Sequence, residues 1–188
     1  MKSKRVLDIL LSSIFLILLI PVIAIVTVLI KLTSNGSVFH ISKRIGRNNK
    51  PFLMFKFRTM TIDAPNVETN LLIEPHKYIT KIGAILRKTS IDEIPQLWNI
   101  LIGQMSFVGP RPALYNQKVL ILMRTNAGLH LLTPGLTGWA QINGRDELNN
   151  MEKIKFDKEY DEKKNIYFDI YIILLTIIKV FRKDGVIY

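Results

Sequence analysis

The chain has 188 residues, 48% of them hydrophobic, a size that allows one membrane segment and one globular domain with a core of its own rather than several domains. It contains no cysteine, which excludes disulfides and thiolate metal sites. The formal net charge of +11 predicts an anionic partner, and nucleic acid, anionic lipid headgroups and phosphorylated substrates all satisfy it.

A long segment without charged residues, residues 9–30, follows the basic N-terminus. At about 1.5 Å per residue it covers a hydrocarbon core of roughly 30 Å, so we predict a membrane segment. Basic residues flank both of its ends, which indicates that both ends are cytoplasmic. Pro21, near the middle, removes a backbone hydrogen bond and can kink the helix. We therefore predict a re-entrant helix hairpin over residues 1–32; a tilted span and a buried core helix are the alternatives.

Residues 38–41 and 51–60 are predicted to form a β-hairpin, because turn-forming residues separate two strand-like runs. The two-residue period of a strand places Phe55 and Phe57 on one face and Lys56 and Arg58 on the other. We expect the aromatic face to pack and the basic face to contact phosphate or the membrane surface. A solvated face is the alternative for the two cations.

A predicted loop over residues 63–75 leads to a predicted helix over residues 78–87, whose isoleucines and leucine recur at helical spacing. This helix ends with Arg87, followed by Lys88. It therefore presents cations to the acids that follow.

Asp92 and Glu93 are adjacent carboxylates in the sequence RKTSIDEIPQLWN. Ser90 and Glu93 have the spacing of a capping box, in which both acids would simply start a helix. If the helix starts near Pro95, which is tolerated at a first helical position, the acids stand just ahead of its positive end. Phosphates are drawn to helix N-termini, and carboxylates beside phosphates commonly hold Mg²⁺. One acid could then bind metal or attack phosphorus while its neighbour does the other task.

The next segment, residues 97–105, is predicted to continue as an apolar helix, in which we expect Trp98 in the core rather than at a membrane interface. The sequence GPRP, residues 109–112, follows as a loop, which we call the GPRP loop. Its two prolines restrict Arg111, whose planar guanidinium suits phosphate better than a lysine does.

Residues 114–132 are predicted to be helical, and residues 135–145 to form a loop in which glycines allow close approach to a ligand. A charged amphipathic helix over residues 147–164 contains Asp157. The last predicted helix, residues 167–181, is strongly apolar but too short and too flanked by charge for a span. It fits an interfacial helix on an anionic membrane, or else a core helix of the domain.

Three ordered motifs resemble the bacterial sugar transferase family: KFRTM at residues 56–60, the stretch over residues 87–112, and PGLTGWAQINGR at residues 134–145. Members of this family are monotopic polyprenyl-phosphate phosphoglycosyltransferases. The resemblance implies an α+β, mainly helical fold with a re-entrant membrane helix, a small β-hairpin and amphipathic interfacial helices. It also implies that residues 33–188 form a membrane-associated catalytic domain on the cytoplasmic face of the bacterial inner membrane.

The resemblance further implies that the chain transfers a phosphosugar from a UDP-sugar to undecaprenyl phosphate, with release of UMP, as the first membrane step of a bacterial glycoconjugate pathway. Asp92 would attack the β-phosphate and form a phosphosugar-aspartyl intermediate. It would also bind Mg²⁺, while Glu93 orients the metal or assists the incoming phosphate. The residues expected to bind substrate are Lys56, Arg58, Arg87, Arg111, Arg145 and Asp157.

Two other functions are compatible with parts of the sequence. A non-enzymatic basic module that binds anionic lipid or nucleic acid explains the charge and the apolar segment, but it has no use for two acids among cations. A glycosyltransferase that extends a lipid-linked sugar would release UDP instead of UMP. We favour the phosphoglycosyltransferase, whose expected partners are a UDP-sugar, undecaprenyl phosphate and membrane lipids, with no nucleic acid.

Overall fold

Two apolar helices open the chain in the computed structural model, which describes residues 2–65, 74–144 and 147–182. Helix α1 (Lys2–Leu18) and helix α2 (Ile20–Thr33) are bent by 59° at the break between them. Pro21 lies in the first turn of α2, where its missing N–H removes no helical hydrogen bond. Within the described residues no single helix is long and apolar enough to cross a membrane, whereas this bent pair is, by length and composition.

The predicted hairpin is confirmed, but its first strand is longer than predicted. Strand β1 (Phe39–Ile45) pairs antiparallel with strand β2 (Pro51–Phe57). Asn48 and Asn49, at the turn, both have φ of 58°, a left-handed conformation that asparagine tolerates better than most residues.

Short helices and strands follow, and two longer helices end the described chain. In order they are α3 (Lys81–Lys88), α4 (Gln96–Leu101), β3 (Ser106–Val108), β4 (Ala113–Leu114), α5 (Lys118–Asn126), β5 (Gly135–Thr137), α6 (Trp139–Ile142), α7 (Asn150–Lys163) and α8 (Ile166–Arg182). The described residues thus form a mainly helical α+β fold, and the predicted fold class is confirmed at this level.

Two small sheets break up segments that we predicted as continuous helix or loop. Strands β2, β1 and β4 form an antiparallel sheet in that order, and β3 pairs in parallel with β5. The predicted helix over residues 97–105 therefore stops at Leu101, and the predicted helix over residues 114–132 is reduced to α5 and a 3₁₀ turn. The predicted loop over residues 135–145 instead contains β5 and α6. Parallel pairing joins segments far apart in the chain, so neither partner carries a local turn signal.

Strand β2 packs on both of its faces, so the predicted division into a packed face and a basic face is wrong. Phe57 lies in an apolar cluster with Ile30 of α2. Phe52 and Met54, on the other face, pack in a cluster with residues of α4. Lys56 shares this second face by the two-residue period of the strand, and it therefore points toward α4 rather than away from the core.

The polar start of α1 is fixed to the domain by buried and half-buried contacts. The Lys4 ammonium lies 2.6 Å from Asp169 Oδ2 and donates to the Tyr160 hydroxyl oxygen at 2.8 Å. Burial and the neighbouring Asp169 raise the pKa of Tyr160, so its hydroxyl stays protonated and donates to that carboxylate. Arg5 donates to two main-chain carbonyls at the end of α4, and Asp8 accepts from the backbone of β3. The first turns of α1 thus belong to the domain's structure as well as to the apolar pair.

Helix α8 combines the two alternatives considered for it. Ile172 is fully buried and Asp169 is buried, so one face belongs to the core. The opposite face is also apolar but exposed, with Tyr167, Ile170 and Leu174 on it. Trp98 is 51% exposed, so its predicted position in the core is wrong.

Asn99 is fully buried and joins α4 to β2. Its side-chain oxygen accepts from the Phe55 N–H at 3.2 Å, and its amide nitrogen donates to the Leu53 carbonyl at 2.7 Å and to Gln104 at 2.7 Å. Because β2 is the outer strand of its sheet, these bonds satisfy main-chain groups that no strand pairs. Asn99 therefore holds the strand that carries Lys56 against the helix that follows the two acids.

We expect Asn99→Ala to lower the free energy of unfolding by about 2–4 kcal/mol, because it removes three hydrogen bonds and leaves main-chain groups of β2 without a partner. Thermal or urea unfolding of the purified protein measures the change. Asn116→Ala, at an exposed position, is the matched control and should unfold near the wild-type midpoint. Equal midpoints for the two variants would show that Asn99 does not hold the strand.

Candidate active site

The two acids lie in a 3₁₀ turn rather than in a capped α-helix. The turn covers Ile91–Glu93, and α4 begins after Pro95, which occupies its N-cap position. Ser90 is in the left-handed region with φ of 56°, and its side chain caps no described main-chain N–H. The capping-box interpretation is therefore wrong, and the predicted helix start near Pro95 is confirmed.

Lys56 reaches both acids from β2. Its ammonium lies 2.6 Å from Glu93 Oε1 and 3.8 Å from Asp92 Oδ2. The three side chains are only 11–16% exposed, so their charges interact more strongly than on an open surface. Of the two carboxylates, Glu93 is the one bonded directly to the ammonium, and Asp92 keeps a longer distance from it.

Arg111 faces the same acids from the GPRP loop. Its Nη2 lies 3.7 Å from Glu93 Oε1, beyond hydrogen-bond distance, and its side chain is 29% exposed. The described part of the site thus brings together a strand, a 3₁₀ turn and a loop, and it places two carboxylates between two cations. An anionic ligand that entered here would meet both cations and both acids.

The residues that flank the two acids also pack against the apolar helix pair. Ile91 and Ile94, on either side of the acids, pack against the cluster that contains Val26 and Ile30 of α2. The carboxylates are therefore held close to the end of the apolar pair.

The carboxylates fit a metal that binds together with a phosphate-bearing ligand. Within the described residues no group of three or more His, Cys, Asp or Glu side chains could hold a metal ion. Mg²⁺, however, is usually bound through one or two carboxylates plus substrate phosphates and water. Asp92 and Glu93 supply those carboxylates, so they suit Mg²⁺ carried in with a diphosphate.

Of the other three cations predicted to bind substrate, two have structural contacts. Arg58 donates to the Ser34 carbonyl at 2.9 Å and to its hydroxyl at 2.7 Å, and so contacts the end of α2 instead of the acids. Arg87 donates through Nε to the Thr59 hydroxyl at 2.9 Å, which ties α3 to the end of β2. Arg145 lies outside the described residues.

Asp157 is 2% exposed and pairs with Arg124, a residue that sequence reasoning did not assign to the site. Its Oδ2 accepts from Arg124 Nε at 3.0 Å and from Nη2 at 2.7 Å. Burial raises the pKa of the Asp157 carboxyl, and the Arg124 guanidinium opposes that shift. The contact that the structure records for the Asp157 carboxylate is therefore this arginine. Only the position of Arg124 on the polar side of a predicted helix could have signalled it.

A family model described as bacterial sugar transferase matches residues 1–183. Over 185 residues the chain is 40% identical to a UDP-glucose:undecaprenyl-phosphate glucose-1-phosphate transferase of Escherichia coli K12, with 95% of this chain and 40% of that protein covered. It is 40% identical over 184 residues to the sugar transferase EpsL of Bacillus subtilis 168, with 97% and 89% covered. It is 39% identical over 190 residues to an undecaprenyl-phosphate glucose phosphotransferase of Komagataeibacter xylinus, with 94% and 35% covered. The chain thus spans about two fifths of the Escherichia coli relative and most of the Bacillus one.

We expect Lys56→Met to lower the free energy of unfolding by about 1.5–3 kcal/mol, because it leaves two largely buried carboxylates without the ammonium between them. Adding Glu93→Gln should recover part of that loss, since one of the two negative charges is then gone. Urea unfolding of the single and double variants measures both effects. Lys77→Met, which breaks an exposed ion pair with Glu74, is the control and should cost less than about 1 kcal/mol. A Lys56→Met loss no larger than this control would contradict the electrostatic account of the site.

Proposed function

Because the chain belongs to the bacterial sugar transferase family, we propose that it transfers a phosphosugar from a UDP-sugar to undecaprenyl phosphate, giving undecaprenyl-diphospho-sugar and UMP. The observation that carries this proposal is the pair Asp92–Glu93 held between Lys56 and Arg111. A module that only bound anions would be weakened by two acids among its cations, because like charges repel at this range. A transferase, by contrast, can use a carboxylate as a nucleophile.

Asp92 is the proposed nucleophile. One of its carboxylate oxygens attacks the sugar-bearing β-phosphorus, the bond from that phosphorus to the bridging oxygen breaks, and UMP leaves with that oxygen. An oxygen of undecaprenyl phosphate then attacks the same phosphorus and displaces Asp92. The choice of Asp92 over Glu93 rests on the resemblance of the stretch over residues 87–112 to the family's motif. Lys56, whose ammonium lies 2.6 Å from Glu93 and 3.8 Å from Asp92, is placed to hold both carboxylates.

The remaining groups neutralise charge. Arg111 and Lys56 are suited to stabilise the non-bridging oxygens of the phosphate under attack. Asp92, together with the substrate phosphates, would hold Mg²⁺, which would supply further neutralisation of the diphosphate. We assign Glu93 to orienting the metal or assisting the incoming lipid phosphate, and Arg145 and Arg87 to the nucleotide-sugar side.

The apolar pair is proposed to enter and leave the same face of the bacterial inner membrane. The start of α1 is bound to Asp169 through Lys4, and the end of α2 packs with Phe57, so both ends contact one domain. Arms of roughly 24 and 21 Å bent by 59° reach about 11 Å from the line that joins their ends. That is less than half of a hydrocarbon core of roughly 30 Å.

The domain, residues 33–188, is proposed to rest on the cytoplasmic surface of the membrane. The exposed apolar face of α8 and the exposed Trp98 support this arrangement, because apolar and aromatic side chains favour the interface. The carboxylates would then lie at headgroup level, where a lipid phosphate meets a soluble nucleotide. Two of the relatives above carry names with UDP-glucose or glucose, so UDP-glucose is the first UDP-sugar to test.

With UDP-sugar and Mg²⁺ but without lipid, we expect at most about one UMP per protein and a mass increase of one phosphosugar on Asp92, because a covalent nucleophile splits the reaction in two. Nucleotide analysis and intact-protein mass spectrometry measure both. Adding undecaprenyl phosphate should restore turnover. Release of UDP would instead indicate an ordinary glycosyltransferase, and no release with any UDP-sugar would favour a binding module.

The matched controls are Asp92→Asn and Glu93→Gln, each of which keeps the size of its side chain. Asp92→Asn should fold but form no adduct, whereas Glu93→Gln retains the nucleophile and tests whether the second charge is needed. Near wild-type turnover of Asp92→Asn, or an adduct on another residue, would show that Asp92 is not the nucleophile.

The proposed re-entrant topology predicts that single cysteines at Ser3 and at Asn35 both react with an impermeant thiol reagent only from the cytoplasmic side, because both ends of the bent pair contact one domain. The chain has no cysteine of its own, so each variant reports one position. Labelling in intact cells and in inverted membrane vesicles measures the sidedness. Labelling of the Ser3→Cys variant in intact cells would contradict the re-entrant hairpin and indicate that the pair spans the membrane.

A further inference from the structure

The GPRP loop is held through its carbonyl groups. Pro110 and Pro112 have no N–H to donate, so carbonyls carry much of the main-chain bonding of the loop. The Pro110 carbonyl accepts from the Gly135 N–H at 2.9 Å, the Arg111 carbonyl from Arg124 Nη1 at 2.7 Å, and the Pro112 carbonyl from Arg44 Nη1 at 3.2 Å. Three consecutive carbonyls are thus each bonded, two of them to arginines.

The guanidinium of Arg124 is in turn held by Asp157. Its Nε and Nη2 both donate to Asp157 Oδ2, at 3.0 and 2.7 Å, which leaves Nη1 for the Arg111 carbonyl. The side chains of Arg124 and Asp157 are 11% and 2% exposed. A planar guanidinium serves both partners at once, whereas a lysine ammonium has no such rigid fork.

The ion pair between Arg124 and Asp157 is not expected to contribute mainly to stability. Removing two charges from water is costly, and buried ion pairs are often no more stabilising than apolar residues of similar size. What the pair does achieve is geometric, since it fixes the backbone of Arg111 from elements that lie outside the loop, namely α5 and α7. The side chain of Arg111 then projects from a fixed position toward Glu93.

We propose that Arg124, oriented by Asp157, is a positioning residue that fixes Arg111 for the phosphate of the substrate. This inference rests on the proposed function. Asp157, predicted from the sequence to contact substrate, then acts on the reaction through Arg124 and Arg111 rather than by touching the ligand. Arg44 holds the neighbouring carbonyl, but Arg124 bonds the carbonyl of the functional residue itself.

A double-mutant cycle tests the coupling. Arg124→Lys should lower kcat/KM for the UDP-sugar by about 10- to 100-fold, since a shift of about 1 Å in a positioning group has effects of that size. In the Arg111→Ala background the same substitution should lower kcat/KM by less than about threefold, because there is no guanidinium left to position. Losses that multiply would overturn the proposal and leave Arg124 with a general structural role.

Arg5→Lys is the matched control. Arg5 also donates to main-chain carbonyls, those of Ile100 and Leu101, but at the far end of α4 rather than on the GPRP loop. Whatever loss it causes should be the same in the wild-type and Arg111→Ala backgrounds. If the loss of kcat/KM disappeared in the Arg111→Ala background for Arg5→Lys as well as for Arg124→Lys, the coupling would not be specific to Arg124. That result would also overturn the proposal.

A second measurement separates this inference from the proposed function. Hydrogen–deuterium exchange of residues 109–114 should accelerate in Arg124→Lys and remain at the wild-type rate in Arg5→Lys, because only the first variant releases the loop. Unchanged exchange in Arg124→Lys overturns the inference whether or not the protein is active. Accelerated exchange in a protein that releases no UMP supports the clamp on the loop and counts against the proposed function alone.

Discussion

Strand β2 has buried side chains on both of its faces, and these connect the two N-terminal helices to the candidate site. Phe57 joins the cluster that contains Ile30 of α2, whereas Phe52 and Met54 join the cluster beneath α4. A slip of β2 by one residue would exchange the side chains of the two clusters, because successive residues of a strand point to opposite faces. The position of Lys56 relative to the two acids is therefore fixed. Asn99 bonds the main-chain groups at the outer edge of the same strand.

Three of the cations have defined partners in largely buried contacts. Lys4 pairs with Asp169, Arg124 pairs with Asp157, and Lys56 lies between the carboxylates of the site. Each pair is largely removed from water, where attraction and desolvation nearly offset one another, so its effect is on geometry more than on stability. The net charge alone suggested a basic surface for an anionic partner, but these cations act as fixed joints between segments distant in the chain.

Features with a local cause were predictable from the sequence. The apolar run, its break beside Pro21, the hairpin and the helix start near Pro95 all follow from residues within a few positions of one another. Features with a distant cause were not. Trp98 is exposed because α4 is short and its buried positions are occupied by Asn99 and its neighbours. The parallel pairing of β3 with β5 depends on segments about thirty residues apart. The direction in which Lys56 points depends on which apolar clusters pack on each face of β2. The two-residue period of the strand does not predict this.

The candidate site divides in the same way. Asp92 and Glu93 are adjacent in sequence, so they could be recognised as a unit, and Arg111 could be recognised from the prolines that restrict it. Arg124 could not, because its contribution reaches Arg111 through a main-chain carbonyl and leaves no pattern in side-chain types. For the proposed reaction this arrangement has a physical reason: the lipid phosphate is confined to the membrane surface, so the protein has to hold its charged groups at a constant height above the membrane. Fixing the backbone of the GPRP loop from α5 and α7, and the acids from α2, meets that requirement with side chains that need never touch the substrate.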